Sequence, residues 1–327
     1  MATLKDVARL AGVSTATVSH VLNASKPVSA AVRERVLDAV QELGYQRNSS
    51  ARALRTGESR TLGLILPDLT NPYFPALAQT IENRARALGY ALLLIDTNND
   101  PANEAAGLRL LAEHGVDGVI WTPLGDTRPN ILPFPVVVVD RPLEGLDAVF
   151  ADHEQGGRLL AEYALELGHR RIGLLVGPQS LPSARLRLRG IRGALSGKAD
   201  IVWQVETPFS LTLPATAEAC IRQRNATLAL CASDVIAIGL LRHCDIAGIR
   251  VPEDLSLLGF DDIPWASLVR PALSTIHQPL AELGRQALER LQARMAQPDL
   301  APRHIRLPIS LVKRASSQAM EGATPGR

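Results

Sequence analysis

Apolar residues in the first sixty positions recur at helical spacing in three short bursts. Leu4, Val7, Ala8 and Ala11 share one face of a first helix, and Gly12 then supplies the backbone freedom that a tight helix–helix turn requires. Ser14 is a suitable N-cap for a second helix whose inward stripe is Val18, Val21 and Leu22. The opposite face carries Thr15, Ala16, Thr17, Ser19 and His20, all small or hydrogen-bonding. A third helix is predicted from Ser29 to Leu43, with Val32, Val36, Ala39, Val40 and Leu43 inward and Gly44 as its C-cap. Three such helices make a small headpiece. A slim polar helix after a glycine turn can lie against base edges in a major groove, while its hydroxyls and positive end hold phosphates.

Beyond Arg60 the pattern changes. Short runs apolar on both faces, "TLGLILP", "YALLLID", "VDGVIW", "VVVVD", "RIGLLVG", "IVWQVE", "TLALCA" and "LSLLGF", alternate with amphipathic stretches such as 74–88, 102–114, 155–168 and 235–247. Runs of that kind are buried parallel strands, and their alternation with helices predicts a doubly wound α/β body. Its length is too great for one small sheet, so two similar subdomains are expected.

Charge divides the chain at the same place. Residues 1–60 hold nine Lys and Arg against five Asp and Glu, whereas the remainder holds 26 basic and 28 acidic side chains. A basic head on a mildly acidic body suits a nucleic-acid partner, since phosphate contacts release counterions. Several chemistries find no signature. The chain has no GxxxxGK[ST] loop, GxGxxG fingerprint or HExxH, and Gly156–Gly157 is explained by close helix packing without a phosphate. Cys220, Cys231 and Cys244 are odd in number and lack CxxC spacing, which predicts reduced thiols and neither disulfides nor zinc. Charged Lys5, Asp6 and Arg9 interrupt any secretion signal and no run reaches membrane-span length, so a cytoplasmic, non-enzymatic protein without cofactor, metal or membrane contact is expected.

The stretches "MATLKDVARLAGVSTATVSHVLN", "VSAAVRERVLDAVQELGY" and "SSARALRTGESRTLGLILPDLTNPYF" resemble the LacI/GalR family of bacterial transcriptional regulators, particularly its ribose and purine repressor branch. The resemblance implies a helix-turn-helix headpiece over 1–46, a hinge helix and linker over 47–60, and a two-lobed, periplasmic-binding-protein-like core over 61–315. A disordered tail is expected over 316–327, because "VKRASSQAMEGATPGR" lacks the leucine heptads of a bundle. Thr15, Ala16 and His20 match positions from which family members read operator bases, with Thr17, Ser19 and Asn23 as nearby base or phosphate contacts. Ser49 lies in the hinge segment "NSSARALRT", Leu54 matches the leucine that wedges open the central base step, and Arg55 matches a minor-groove basic position.

The family fold implies chain crossings between lobes near 148–153, 275–280 and 305–310, and a ligand at the strand carboxyl ends facing the cleft. Polar residues stand directly after strands: Asn71, Tyr73 and Phe74; Asp140 and Arg141; Ser233 and Asp234; Asp261 and Asp262. By resemblance, Arg187 matches the effector-contacting arginine, and Phe209, Ser233, Asp261 and Gln278 match further cleft positions; His277 is expected to serve the crossover. Carboxylates and amides pair with hydroxyls, arginine forks across oxygens, and an aromatic ring covers the apolar face of a sugar.

The Asp140–Arg141 pair resembles the Asp–Arg pair of ribose-binding proteins, which implies a pentose such as ribose, and the resemblance to sugar-type relatives implies an inducer. Two arginines, Arg141 and Arg187, equally suit the carboxylate of gluconate or 2-ketogluconate. A purine corepressor is a third reading, and a solute-binding protein without a DNA role is the competing class. The expected partners are double-stranded operator DNA, spanned as a homodimer over a pseudo-palindrome, and the small effector.

Overall fold

The computed structural model describes residues 2–23, 26–45, 57–125 and 132–320. They form two compact units divided between Ser59 and Arg60.

The first unit holds α1 (Leu4–Ala11), α2 (Thr15–Asn23) and α3 (Ala30–Glu42). A capping box starts α1. Asp6 N–H donates to Thr3 Oγ1 at 3.3 Å and Thr3 N–H donates to Asp6 Oδ2 at 2.9 Å. Gly12 ends the helix at φ 64°, a left-handed conformation that costs a glycine nothing. Ser14 then caps α2, its Oγ accepting from Thr17 N–H at 3.1 Å. Val7, Val18 and Val36, one from each helix, are completely buried, and every apolar residue expected to point inward packs around them.

The second unit opens with β1 (Thr61–Leu66), α4 (Tyr73–Ala87), β2 (Ala91–Asp96), α5 (Pro101–Glu113), β3 (Gly118–Trp121), β4 (Val136–Val139) and β5 (Asp147–Ala151). It continues with α6 (His153–Glu166), β6 (Arg171–Val176), α7 (Pro182–Leu195), β7 (Asp200–Glu206), α8 (Ala215–Arg222), β8 (Leu228–Cys231), α9 (Asp234–Ile246) and β9 (Ser256–Leu258). The last elements are β10 (Thr275–His277), α10 (Leu280–Ala296), β11 (His304–Leu307) and β12 (Ser310–Val312). All eight apolar runs are strands. The four amphipathic stretches correspond to α4, α5, α6 and α9 within two residues at either end.

Two parallel sheets result. One runs β11-β5-β4-β3-β1-β2 and the other β7-β6-β8-β9, while β10 and β12 pair antiparallel. The chain passes between lobes from β5 to α6, from β10 to α10 and from β11 to β12, close to the three crossings anticipated. The first lobe is completed by late sequence. Buried Asp147 accepts from Arg290 Nε at 2.6 Å, Arg294 Nε at 2.8 Å and Arg303 N–H at 2.8 Å.

Residues 316–320, expected to begin a disordered tail, are docked instead. Ser316 is fully buried; its carbonyl accepts from Leu257 N–H at 2.7 Å and its N–H donates to Ala272 O at 2.9 Å. Met320 N–H donates to Leu167 O at 2.8 Å. Backbone pairing of this kind leaves no trace in hydropathy, which is why a polar segment looked unattached.

Helices α6 and α7 touch backbone to backbone. A Cβ on Gly157 would lie 2.0 Å from Arg187 O, and one on Gly190 would lie 2.0 Å from Glu154 O. The close packing inferred for the Gly156–Gly157 pair is therefore present, and it fixes the spacing between His153 at the start of α6 and Arg187 in α7. Gly157→Ala is expected to cost about 1–3 kcal/mol, as overpacking does, and to lower the thermal midpoint; an unchanged midpoint in calorimetry would mean the helices can part freely.

Candidate functional site

In the three-helix unit, Thr15 and Ala16 are exposed at the start of α2, with Thr17, Ser19 and His20 half-buried along the same helix. Thr17 Oγ1 lies 2.9 Å from Ser14 Oγ, so part of this hydroxyl row serves the cap. Asn23 closes α2. Ser49, Leu54 and Arg55 lie outside the described residues.

In the two-lobed unit, eight of the eleven residues expected at a ligand site line one cleft between strand ends of both lobes. The segment after β1 brings Asn71, Tyr73 and Phe74; β4 ends at Asp140 and Arg141; the other lobe contributes Arg187, Phe209 and Asp261. Phe209 lies where a Cβ on Gly177 would come within 2.5 Å of its ring, so the missing side chain makes the room.

The remaining three stand behind the cleft. Gln278 Nε2 donates to Asp261 Oδ1 at 2.7 Å, and its Oε1 accepts from Tyr73 Oη at 3.3 Å, which joins the two lobes. Ser233 caps α9, accepting from Ile236 N–H at 3.3 Å. Asp234 is completely buried and accepts from Ile263 N–H at 2.9 Å and Thr275 Oγ1 at 2.5 Å. Burial, reinforced by nearby Asp261, raises its pKa well above the carboxylate range. Its bonds tie α9 to the segment after β9, a structural duty in place of the ligand contact expected of it.

Charge inside the cleft is compensated. The Arg187 guanidinium pairs with Asp261 at 3.2 Å, donates to Ala232 O, and lies 3.8 Å from the centre of the Phe260 ring. Its Nε donates to His153 Nδ1 at 3.4 Å, which leaves the imidazole proton on Nε2, 3.1 Å from Asp140 Oδ1. Arg141 donates to Pro123 O at 2.9 Å and to Gly125 O, so it braces the segment after β3. Asp140 and Asp261 hold φ of 77° and 116°, backbone strain of order 1–3 kcal/mol each. Burial works against ionising Asp140, yet His153, Arg187 and Arg141 together bring its pKa below the usual value. At Asp261 burial outweighs Arg187 and Gln278, and the carboxyl is pushed up to about 6.

Asp262 points elsewhere, to His277 Nδ1 at 2.9 Å and Arg314 at 2.6 Å; His277 ends β10, just before the chain passes to α10. Among residues the sequence did not single out, Asn99, Thr122 and Ser183 also line the cleft. Thr122 follows a strand, so the rule that found Asp140 could have found it; Ser183 lies within a helix, where that rule is silent.

Residues 3–48 match bacterial regulatory proteins of the lacI family, and residues 161–317 match a periplasmic binding protein-like domain. A ribose operon repressor from Haemophilus influenzae is 35% identical over 98% of this chain and 100% of its own length. The chain belongs to the LacI family. The transcriptional repressor PurR of Photobacterium profundum is 34% identical over 90% of this chain and 92% of its own, so identity alone does not separate the ribose and purine branches of the family. A Lac repressor dimer bound to operator and an anti-inducer superposes with TM-score 0.85 at 31% identity, covering 97% of this chain and 99% of that one. A LacI family regulator from Enterococcus faecium with bound ribose superposes with TM-score 0.72 at 29% identity, covering 80% and 100%.

The raised pKa of Asp261 gives this LacI-family cleft a pH signature. The group holds its proton more tightly folded than unfolded, so its contribution to stability is present below about 4 and is lost as pH rises through about 6. For a neutral polyol, which donates hydroxyls to the ionised carboxylate, affinity falls about tenfold from pH 7 to pH 5. Asp261→Asn flattens that profile in titration calorimetry. An anionic ligand would instead bind better in acid.

Proposed function

We propose that this chain is a ligand-controlled transcriptional repressor whose effector is ribose or a similar pentose, acting as inducer. The observation that carries the reading is the arrangement of Asp140 and Asp261 on opposite lobes of one cleft, with aromatic Phe74 and Phe209 among its walls. Two carboxylates accept from several hydroxyls of a neutral polyol, and the rings cover its C–H face. The ribose repressor resemblance and the ribose-bound relative point the same way. A sugar acid fits less well, because Arg187 is already paired with Asp261 and Arg141 is engaged with backbone carbonyls.

DNA is bound by the helix-turn-helix unit, with Thr15, Ala16 and His20 toward the bases and Thr17, Ser19 and Asn23 beside them. Two subunits span a pseudo-palindromic operator, Ser49 and Arg55 contact the hinge region of the site, and Leu54 wedges its central step. Closing the two lobes on the sugar changes how the paired subunits present their headpieces, and the sugar acts only through its differential affinity for the two states.

Calorimetry with ribose, gluconate, 2-ketogluconate, hypoxanthine and guanine tests the effector, and ribose alone should bind tightly; selective binding of a sugar acid or a purine overturns the pentose reading. Asp140→Asn keeps the side-chain shape and should weaken ribose binding at least about tenfold, the scale of one charge-assisted hydrogen bond, while operator affinity in a gel-shift assay stays as in the wild type. Leu54→Ala should reduce operator bending and leave sugar affinity intact.

A further inference from the structure

Thr122, on the first-lobe wall of the cleft, has no place in the site as proposed so far. It follows β3 directly, its N–H donating to Ile65 O at 2.9 Å, and the sheet order sets β3 between β1 and β4. Thr122 therefore stands between the segment that carries Asn71 and Tyr73 and the Asp140–Arg141 pair, at the middle of that wall. The residue is 3% exposed and lines the cleft. Its Oγ1 has no hydrogen-bond partner, and no other cleft-lining side chain among the described residues holds a buried polar atom in that condition.

Buried hydroxyls are ordinarily bonded, because desolvation without a partner is unfavourable. Two carbonyls beside Thr122 already accept a bond each, Ile65 O from its own N–H and Pro123 O from Arg141 at 2.9 Å. The staggered χ1 wells of threonine exchange hydroxyl and methyl, so rotation about χ1 re-aims the oxygen toward a new partner.

We infer that Thr122 is a specificity-determining residue whose hydroxyl pairs with one hydroxyl of the bound sugar, from the lobe opposite Asp261. The inference rests on the sugar reading above and extends it. A carboxylate only accepts, whereas a threonine hydroxyl donates or accepts. Thr122 thus reads the presence of a hydroxyl at one ring carbon, and a sugar lacking it leaves the threonine unpaired and is rejected.

The test is calorimetry on the full-length chain with ribose, 2-deoxyribose, 3-deoxyribose and 5-deoxyribose, using wild type, Thr122→Val and Thr122→Ser. Valine keeps the shape and removes the oxygen; serine keeps the oxygen. Thr122→Val should weaken ribose about tenfold, Thr122→Ser should bind as the wild type does, and one deoxyribose should bind wild type and Thr122→Val equally. Thr122→Val binding ribose as tightly as wild type overturns the inference. So does equal weakening for all four sugars, which would mark a packing role. A flat wild-type trace with ribose is seen before any substitution is made, and it removes the pentose reading together with this one.

Discussion

A guanidinium buried from water must find its partners inside the protein, and around Arg187 they come from separate parts of the chain. Ala232 O lies after β8, Asp261 after β9, His153 at the first crossing, and the ring of Phe260 beneath. Each is at or just beyond the end of a strand or the start of a helix, so the strand ends of the second lobe are gathered around one cation. An unpaired charge at such depth would be strongly destabilising. Asp261 in turn is steadied by Gln278, and His153 reaches Asp140 on the other lobe. The site is thus one connected set of polar groups, each with its orientation set by the next.

The contacts are of different kinds within a lobe and between the lobes. Inside the second lobe, the glycine contact of α6 with α7 and the Asp234 bonds leave little freedom. Between lobes His153 bonds to Asp140 and Tyr73 to Gln278, Val235 and Ile263 of the second lobe share a buried apolar cluster with Tyr73 and Leu77 of the first, and the chain crosses three times.

The fold was legible because its strongest signals are physical ones: runs apolar on both faces for β1 to β4 and β6 to β9, and helical stripes closed by Gly12 and Gly44. The less visible parts share a cause. β5, β10, β11 and β12 break the apolar pattern with Asp147, Thr275 and His277, His304 and Arg306, and Ser310, and they lie at the crossings between lobes. Residues 316–320 hold on through backbone bonds to which hydropathy is blind. At the site, reading polar residues after strands singled out Asp140 and Asp261, and together with Arg187 and Phe209 from the family resemblance it named eight residues that line one cleft. It failed at Asp234, since a carboxylate after a strand looks the same whether it faces the cleft or turns back to hold Thr275 and Ile263. Nor could spacing reveal that Arg141 is turned to carbonyls at Pro123 and Gly125; that depends on a neighbouring strand.

The first lobe is not a continuous piece of chain. β11, at residues 304–307, is an edge strand against β5, and α10 supplies the arginines that neutralise Asp147. During synthesis the β1 to β5 sheet therefore lacks the strand that pairs with β5, and Asp147 lacks its arginines, until the chain has been made through β10, α10 and β11. The second lobe likewise needs Ser316 beside β9. A chain released before β11 leaves β5 without its partner strand, the kind of exposed edge that favours aggregation.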